Sequence, residues 1–335
     1  MGDLGDQGVD RAGFDRSVSF PHLLAFFGGL LAHAMAALAL LVVATHACAQ
    51  DDGPRVYQLA PVGAKAFTVF AVVKRGDETP ESGDVIPGSE IDTNMVVFRY
   101  VQTFDLGGRQ FSPFFILPTG QVRSTVHGPT GDIVSESAGF GDAQVGGVLG
   151  LFGSPALSPA AYANFRPVVS TGLLARVFFP TGAYSPNQPV NLGANRHAFQ
   201  LGLPTGLVFG QSYLTPNLTT LELLPTVTFY DANNQPFDAR RVTKAPQFSL
   251  ESHLTRNLVP GVWVSADMLY RSGGDTTTDG VADENPIRGW SAGLTGAFRL
   301  APKATVILTY EHVVERSDQG PDGWFFRTAL IVPFR

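Results

Sequence analysis

From residue 65 onward, apolar and polar residues alternate with a period of two. In residues 261–271, one face is apolar and consists of Val262, Val264, Ala266, Met268 and Tyr270. This alternation places successive side chains on opposite faces of a β-strand. The segments that show it, each bounded by Gly, Pro, Asn or Asp, are 65–75, 91–104, 109–117, 143–151, 167–179, 197–211, 217–230, 245–256, 261–271, 288–299, 303–312 and 323–334.

The length of these segments favours a membrane barrel over a soluble sandwich. A tilted strand needs about 9–11 residues to cross a bilayer, whereas strands of soluble proteins usually have about 5–6. Aromatic residues also lie at segment ends, where the interfacial girdles of membrane barrels belong, as at Phe104, Tyr230, Trp290 and Phe334. The pattern therefore predicts an all-β fold, a transmembrane antiparallel up-and-down β-barrel of about 12 strands.

The connections between the segments alternate between long and short. Bacterial barrels have short periplasmic turns and long external loops, so the odd-numbered connections, including 180–196, are expected outside. The exception is residues 152–166, which are long but fall on the periplasmic side. Ser158-Pro159 ahead of Ala160–Phe165 predicts a short helix there, since Ser caps a helix and Pro suits its first turn.

The first 49 residues have the features of a secretory signal. Residues 23–45 form an almost uncharged apolar run that ends in Ala47-Cys48-Ala49, which predicts removal of residues 1–49 by cleavage near Ala49. The alternative is a permanent membrane anchor, since the run is long enough to span a bilayer. Residues 50–64 then precede the barrel (65–335), either as a periplasmic tail or as a plug that enters the lumen.

Composition excludes one class of partner. Charged residues make up 16% of the 335 residues and the net charge is -6, whereas nucleic-acid-binding proteins show a basic patch. The chain has one cysteine, Cys48, so a disulfide framework is not expected. We therefore expect no nucleic-acid partner.

Several stretches resemble a known family, the meta-pathway phenol-degradation family. They are "APVGAKAFTVFAVVKRGD", "FRYVQTFDLGGR", "SAGFGDAQVGGVLGLFGSPALSP", "FPTGAYSPNQPVNLGANRHAF" and "DTTTDGVADEN". The resemblance covers about residues 60–334 and rests on the order of these motifs. It implies an outer-membrane barrel that takes part in the passage of aromatic or other apolar compounds, and it implies no enzyme activity.

The ionisable residues of the strands are the candidate lining of the lumen. A charge near the bilayer midplane costs about 2–4 kcal/mol on the lipid face, so these side chains are expected to point inward. They form either a polar conduit or a lumen closed by its own paired charges. The candidate lumen-lining residues are Arg99, Arg176, Glu222, Glu251, His253, Asp267, Arg271, Arg299, Glu311 and Arg327.

The loop between the fifth and sixth segments is the candidate external site. Its polar residues Asn191, Asn195 and Arg196 either fold over the pore mouth to meet a ligand or hold the loop together. Pro204-Thr205-Gly206 falls within the next segment. Proline in a strand interior predicts a bulge or kink at that point.

Motifs for catalysis or cofactor binding are weak. The chain lacks G-x-S-x-G and a dinucleotide fingerprint. His253 near Glu251 is interpreted as a hydrogen-bonding group of the lumen, with a metal ligand or catalytic base as the alternative. The acidic loop 275–285 lacks the EF-hand spacing for Ca²⁺. We expect no metal, no cofactor and no enzyme activity, with an outer-membrane hydrolase as a distant alternative.

These features predict a channel or transporter in the outer membrane of a Gram-negative bacterium. Its partners would be outer-membrane lipid, a small-molecule solute of aromatic or apolar character, and the barrel-assembly machinery that inserts it. The alternative is a non-conducting structural or binding barrel that acts through its external loops.

Overall fold

A computed structural model describes residues 52–80, 83–128, 131–210, 213 and 216–334. The predicted signal peptide, the cleavage position near Ala49 and Cys48 lie outside the described residues. No helix in these ranges is both long and apolar enough to cross a membrane.

Strands make up most of the described chain. In chain order they are β1 (Lys65–Gly76), β2 (Glu90–Gln102), β3 (Phe104–Leu106), β4 (Arg109–Gly128), β5 (Gly131–Phe140), β6 (Ala143–Phe152), β7 (Val169–Phe179), β8 (Ala198–Gly202), β9 (Thr205–Phe209), β10 (Thr219–Tyr230), β11 (Val242–Lys244), β12 (Gln247–Val259), β13 (Val262–Gly273), β14 (Thr276–Thr278), β15 (Val281–Ala282), β16 (Ile287–Ala301), β17 (Ala304–Arg316) and β18 (Gly323–Phe334).

These strands form a closed antiparallel barrel of 12 strands. The first strand, β1, pairs with the last, β18, in an unbroken register from Lys65–Phe334 to Gly76–Gly323. On its other side β1 lies against β2, where the rings of Phe67 and Phe98 stack with their centroids 6.2 Å apart. The barrel strands are β1, β2, β4, β6, β7, the interrupted β8–β9, β10, β12, β13, β16, β17 and β18. The predicted up-and-down barrel is confirmed.

The connections sort to the two ends of the barrel as the alternation predicted. Residues 260–261 and 302–303 are tight turns at one end, here called the short-turn end. The loops 77–89, 180–197 and 231–246 lie at the opposite, long-loop end. The small sheet of β11, β14 and β15 joins two loops of the long-loop end.

The predicted helix is present at the short-turn end. Helix α1 (Pro159–Asn164) has Ser158 as its N-cap, and the Ser158 side chain accepts a hydrogen bond from the Ala161 N–H at 3.2 Å. Proline at the first helical turn has no backbone N–H to leave unsatisfied. The cap and the proline thus explain why this connection folds as a helix.

The long connection 118–142 contains strands that the sequence pattern did not predict. Strand β4 continues to Gly128, and β5 returns beside it with Thr119 opposite Phe140 and Gly128 opposite Gly131. The barrel pairing resumes at β6 after Gly141-Asp142. This long connection is therefore a β-hairpin.

The predicted break at Pro204 is also present. β8 ends at Gly202 and β9 begins at Thr205. Leu203 N–H donates to the Pro225 carbonyl across the gap, and the Pro204 carbonyl accepts from Gly172 N–H. The interrupted strand keeps its place between β7 and β10 because backbone bonds continue through the break.

The two faces of the barrel differ sharply in polarity. Outward residues such as Met268, Leu294 and Leu330 are exposed and apolar. Tyr270 and Trp290, on neighbouring strands, pack with ring centroids 4.6 Å apart near the long-loop end. Most buried charged side chains lie inside. This is the inverse of a soluble barrel, and it concentrates the candidate chemistry in the lumen.

Candidate functional site: the barrel lumen

The strand register gathers the inward ionisable residues into rows. Glu222 lies opposite His253, His253 opposite Asp267, and Gly293 separates Asp267 from Glu311. Directly opposed residues of antiparallel strands share a face. A second row, one step nearer the short-turn end, carries the hydroxyl groups of Thr220, Thr255, Ser265, Thr295 and Thr309.

Asp267 is the most fully hydrogen-bonded member of these rows. It is 2% exposed. One oxygen, Oδ1, accepts from Ser265 Oγ at 2.6 Å and lies 2.8 Å from His253 Nδ1. The other, Oδ2, accepts from Thr295 Oγ1 at 2.6 Å. The serine hydroxyl donates to the carboxylate instead of to the histidine, so the arrangement of a nucleophile with its base is absent from this cluster.

His253 also approaches Glu251, with Nε2 3.4 Å from Oε2. No group of three or more His, Cys, Asp or Glu side chains among the described residues is arranged to hold a metal ion. His253 thus takes part in a hydrogen-bonded lumen network.

The described part of the N-terminal segment, residues 52–64, enters the lumen. Asp52 N–H donates to Glu251 Oε2 at 3.0 Å. The Asp52 carboxylate accepts from Arg176 Nη2 at 2.5 Å and from the Tyr57 hydroxyl at 2.7 Å. Charge-assisted bonds of this length are among the stronger side-chain hydrogen bonds. They hold residue 52 against the inner wall.

Arg55 fixes the segment to a neighbouring part of the wall, on β10 and β12. Its N–H donates to Glu222 Oε2 at 2.7 Å, and its Nη2 donates to Asn257 Oδ1 at 2.8 Å. The guanidinium lies 4.5 Å from the ring centroid of Trp263. Each contact joins positions more than a hundred residues apart in sequence, so the segment is held by the folded barrel.

Gly53 lies beside Arg327 of the wall. Its φ is 89°, and a Cβ built there would lie 2.2 Å from Arg327 Nη2. The left-handed backbone conformation favours glycine at this position, and a larger residue would also displace the end of the Arg327 side chain. Farther along, Leu59 packs against Val208 and Leu218 near the short-turn end.

The loop 77–89 closes the lumen from the long-loop end. Buried Glu78 accepts hydrogen bonds from both terminal nitrogens of Arg271, with Nη2–Oε2 at 2.9 Å, and lies 3.5 Å from Lys74 Nζ. Asp84 accepts from Lys244 Nζ at 2.7 Å and from Arg196 Nη2 at 2.8 Å. Two acidic residues thus hold this loop, here called the mouth loop, against cations of four other parts of the chain.

A further carboxyl group lies at the start of the mouth loop. Asp77 is 4% exposed, and its Oδ1 accepts from Asp322 N–H at 2.7 Å. Burial raises the pKa of Asp77 to about 6 from an ordinary value of 3.8, while the hydrogen bond from Asp322 opposes the rise and the Glu78 carboxylate adds to it. This group therefore titrates near neutral pH.

The three predicted residues of the external loop hold loops together. Asn191 bonds within its own loop, to Ser185 N–H at 2.9 Å and to two backbone carbonyls. Asn195 Nδ2 donates to Asn233 of the neighbouring loop at 2.9 Å. Arg196 reaches the mouth loop through Asp84. Loop 180–197 therefore packs against its neighbours at the mouth.

Two of the cavities that the described residues leave inside the lumen are large enough for a small molecule. The turn-side cavity, of about 430 Å³, surrounds the N-terminal segment and extends to Lys65 and Pro333 at the short-turn end. The mouth-side cavity, of about 210 Å³, lies between Asp52 and Pro80 of the mouth loop. Asp52, Phe70, Arg99 and Arg327 line both cavities and so form the partition between them.

Nine of the ten residues predicted for the lumen are buried or half-buried on the inner face. Arg99, Arg176, Glu251 and Arg327 line the mouth-side cavity. Arg271 holds the mouth loop, Glu311 is fully buried, and Glu222 is half-buried beside Arg55. Arg299 differs, because it is exposed at the short-turn end of β16 although its position in the alternation is inward.

The residues that sequence reasoning missed come from segments outside the barrel strands. They are Asp52 and Tyr57 of the N-terminal segment, Glu78 and Asp84 of the mouth loop, and Lys244 of β11. The sequence contained one signal for these partners. The predicted inward residues include more arginines than carboxylates, which indicates that other segments supply acidic side chains to the lumen.

Comparison with known proteins identifies the family. A family model described as "Putative MetA-pathway of phenol degradation" matches residues 76–324. The chain belongs to this family. The match runs from the end of β1 to the start of β18 and so covers nearly the whole barrel. No curated protein matches the sequence.

A solved outer membrane channel has the same fold. The COG4313 outer membrane channel from Pseudomonas putida F1 is 19% identical, with a TM-score of 0.68 over 85% of this chain and 100% of that chain. The translocator domain of the autotransporter NalP from Neisseria meningitidis is 10% identical, with a TM-score of 0.44 over 83% of this chain and 90% of that chain.

Proposed function

We propose that this member of the family is an outer-membrane channel for small, largely apolar molecules in a Gram-negative bacterium. The observation that carries the proposal is the pair of cavities that lie end to end inside a closed barrel. Among the described residues, the N-terminal segment at Asp52 and the mouth loop narrow the path between the two ends of the barrel. Both lie outside the barrel strands, so their displacement leaves the wall intact, whereas Phe70, Arg99 and Arg327 of the partition belong to the wall. The solved outer membrane channel from Pseudomonas putida F1 has the same fold.

The apolar outer face supports a place in a lipid bilayer. A closed sheet leaves no unpaired edge in hydrocarbon, and exposed apolar residues such as Leu294 and Met268 cover its outside. Outer-membrane lipid and the barrel-assembly machinery are the partners that this placement requires. In this arrangement the short-turn end faces the periplasm, and residues 1–49 are removed as a signal peptide near Ala49.

The lumen residues then divide into four roles. Arg176, Glu222 and Glu251 hold the N-terminal segment, which we assign as a removable plug. Arg271 and Arg196 hold the mouth loop. Arg99 and Arg327 face the solute path at the partition. Asp267 and His253 keep the wall in register, and we assign no catalytic step to them.

The channel is tested with the full-length mature protein reconstituted in planar bilayers and in liposomes. We expect small, intermittent conductance from the wild type. Deletion of residues 50–60 removes Asp52 and Arg55 together and is expected to raise the mean conductance several-fold. Heat-modifiable gel migration serves as the control that the barrel is still closed. Absence of conductance and solute flux from both proteins would contradict the proposal and favour a non-conducting binding barrel.

A further inference from the structure

The mouth-side cavity combines aromatic walls with an arginine that lacks a counter-ion. Its volume of about 210 Å³ exceeds the roughly 150 Å³ of an apolar cavity that takes up benzene in another protein. Three phenylalanines, Phe70, Phe178 and Phe325, line it together with Met95, Val97 and Ile116. Its size and apolar surface suit a single aromatic ring.

Arg99 is the exceptional side chain of this cavity. It is 8% exposed, and its guanidinium lies 5.2 Å from the ring of Phe114 and 5.9 Å from that of Tyr57. It has no hydrogen bond or ion pair with any described residue, and its buried Nε lacks an acceptor. A buried cation is costly unless an opposite charge and hydrogen-bond acceptors compensate it. The ring faces compensate only in part.

The charges around Arg99 also favour an anion. Three arginines line the mouth-side cavity, Arg99, Arg176 and Arg327, against two carboxylates, Asp52 and Glu251. Asp52 is bound to Arg176 at 2.5 Å, and Glu251 accepts the Asp52 N–H. Three positive charges against two negative ones leave one positive charge in the lining. Arg99 has an ion pair with neither carboxylate, because Asp52, which attracts it, is bound to Arg176.

We propose that the mouth-side cavity is a binding site for a monoaromatic carboxylate. The carboxylate accepts a two-pronged hydrogen bond from Arg99, which matches the geometry of a guanidinium, and the ring packs among Phe70, Phe178 and Phe325. This inference rests on the proposed function and specifies its solute. An uncharged aromatic ring fills the same cavity but leaves the guanidinium without an acceptor.

The test measures binding of benzoate and of benzyl alcohol, which has the same ring without the charge, by titration calorimetry on the purified full-length mature protein. We expect the wild type to bind benzoate at least tenfold more tightly than benzyl alcohol. Arg99→Gln is expected to abolish this preference by lowering the affinity for benzoate at least tenfold more than the affinity for benzyl alcohol. The matched control is Arg123→Gln, which removes the same charge from a side chain that is 71% exposed on the β4–β5 hairpin.

The proposal is overturned by equal affinities for the two compounds in the wild type, by absence of benzoate binding, or by a preference that persists in Arg99→Gln. If Arg99→Gln no longer shows heat-modifiable migration, its barrel is not closed, and Arg99→Lys is used instead. Lysine keeps the charge but cannot donate the two-pronged hydrogen bond, so the benzoate affinity must fall relative to the benzyl alcohol affinity. Liposome flux of a small neutral sugar reports the channel separately. Flux without benzoate preference refutes the site alone, and benzoate binding without flux refutes the channel alone.

Discussion

At the scale of single residues, Asp267 is the side chain on which the inner wall depends most. Three donors, Ser265, Thr295 and His253, converge on its carboxylate from β12, β13 and β16. Buried donors that lose their acceptor cost about 1–3 kcal/mol each, and such costs are not additive. We expect Asp267→Ala to lower the free energy of unfolding by about 3 kcal/mol, measured by urea titration in lipid vesicles.

The control for this variant is Asp92→Ala. Asp92 also pairs with a cation, Arg75, at 3.2 Å, but its side chain is 53% exposed. Surface ion pairs contribute about 0–1 kcal/mol, so this variant should unfold almost as the wild type does. Equal losses in the two variants would mean that the buried network adds no stability.

The alternation of the strands was sufficient to place most inward charges, because a strand has only two faces. It could not supply their partners. Asp52 and Arg176 are 124 positions apart, and Asp84 and Lys244 are 160 apart. Such pairs depend on the closed barrel and on segments without periodicity. Arg299 shows a second limit of the alternation. The pattern predicts that its side chain points inward, but it does not show that the residue lies at the end of the barrel, where it is exposed to solvent.

At the scale of elements, the strands were predictable to within a few residues wherever one face is apolar. The β4–β5 hairpin was not, because residues such as Arg123, Ser135 and Glu136 put polar side chains on both faces. A strand that pairs above the lipid needs no apolar face. The alternation of apolar and polar residues therefore indicates strands with one face in a membrane or a core. It does not detect strands that have water on both faces.

The mouth loop is the element for which we expect a response to pH. The Asp77 carboxyl has its pKa raised to about 6 in the docked loop, chiefly by burial, with the neighbouring Glu78 and Asp322 carboxylates adding to the rise and Arg316 opposing it. The docked loop therefore binds a proton more tightly than a released loop does. Docking is strongest below about pH 4 and weakens as the pH rises through about 6.

We accordingly expect single-channel open probability to increase between pH 4 and pH 7, on the basis of the raised pKa of Asp77. Asp77→Asn has no carboxyl to titrate, so its open probability should vary much less over that range. An open probability that falls with pH in the wild type, or that follows the same curve in Asp77→Asn, would show that this carboxyl does not control the loop.

At the scale of the whole molecule, the barrel is apolar outside and charged inside, with both ends of the lumen narrowed by segments that are not part of the wall. The N-terminal segment enters from the short-turn end and the mouth loop from the long-loop end. The contacts of Asp52, Arg55, Glu78 and Asp84 are ionic or charge-assisted, so a solute or water can replace them. Release of the N-terminal segment also exposes Leu59, which packs against Val208 and Leu218, and this apolar contact favours the docked state.

The outer face permits a direct test of membrane placement with two leucines of one strand. Leu294 and Leu300 both point outward from β16 and are 64% and 63% exposed, but Leu294 lies midway along the strand and Leu300 at its end. Arginine costs about 2–4 kcal/mol on the lipid face at the bilayer midplane and about 0–1 kcal/mol near the interface.

We therefore expect Leu294→Arg to lower the free energy of unfolding in vesicles by about 2–4 kcal/mol and Leu300→Arg by less than about 1 kcal/mol. Both variants replace leucine by arginine on the same strand. The effects of strand propensity and of net charge are therefore the same in the two variants. A soluble barrel exposes both positions to water and would lose little stability in either variant. Equal, small losses of unfolding free energy in the two variants would contradict the placement of this face in a bilayer. A larger loss in Leu294→Arg than in Leu300→Arg is expected only if hydrocarbon surrounds the middle of β16.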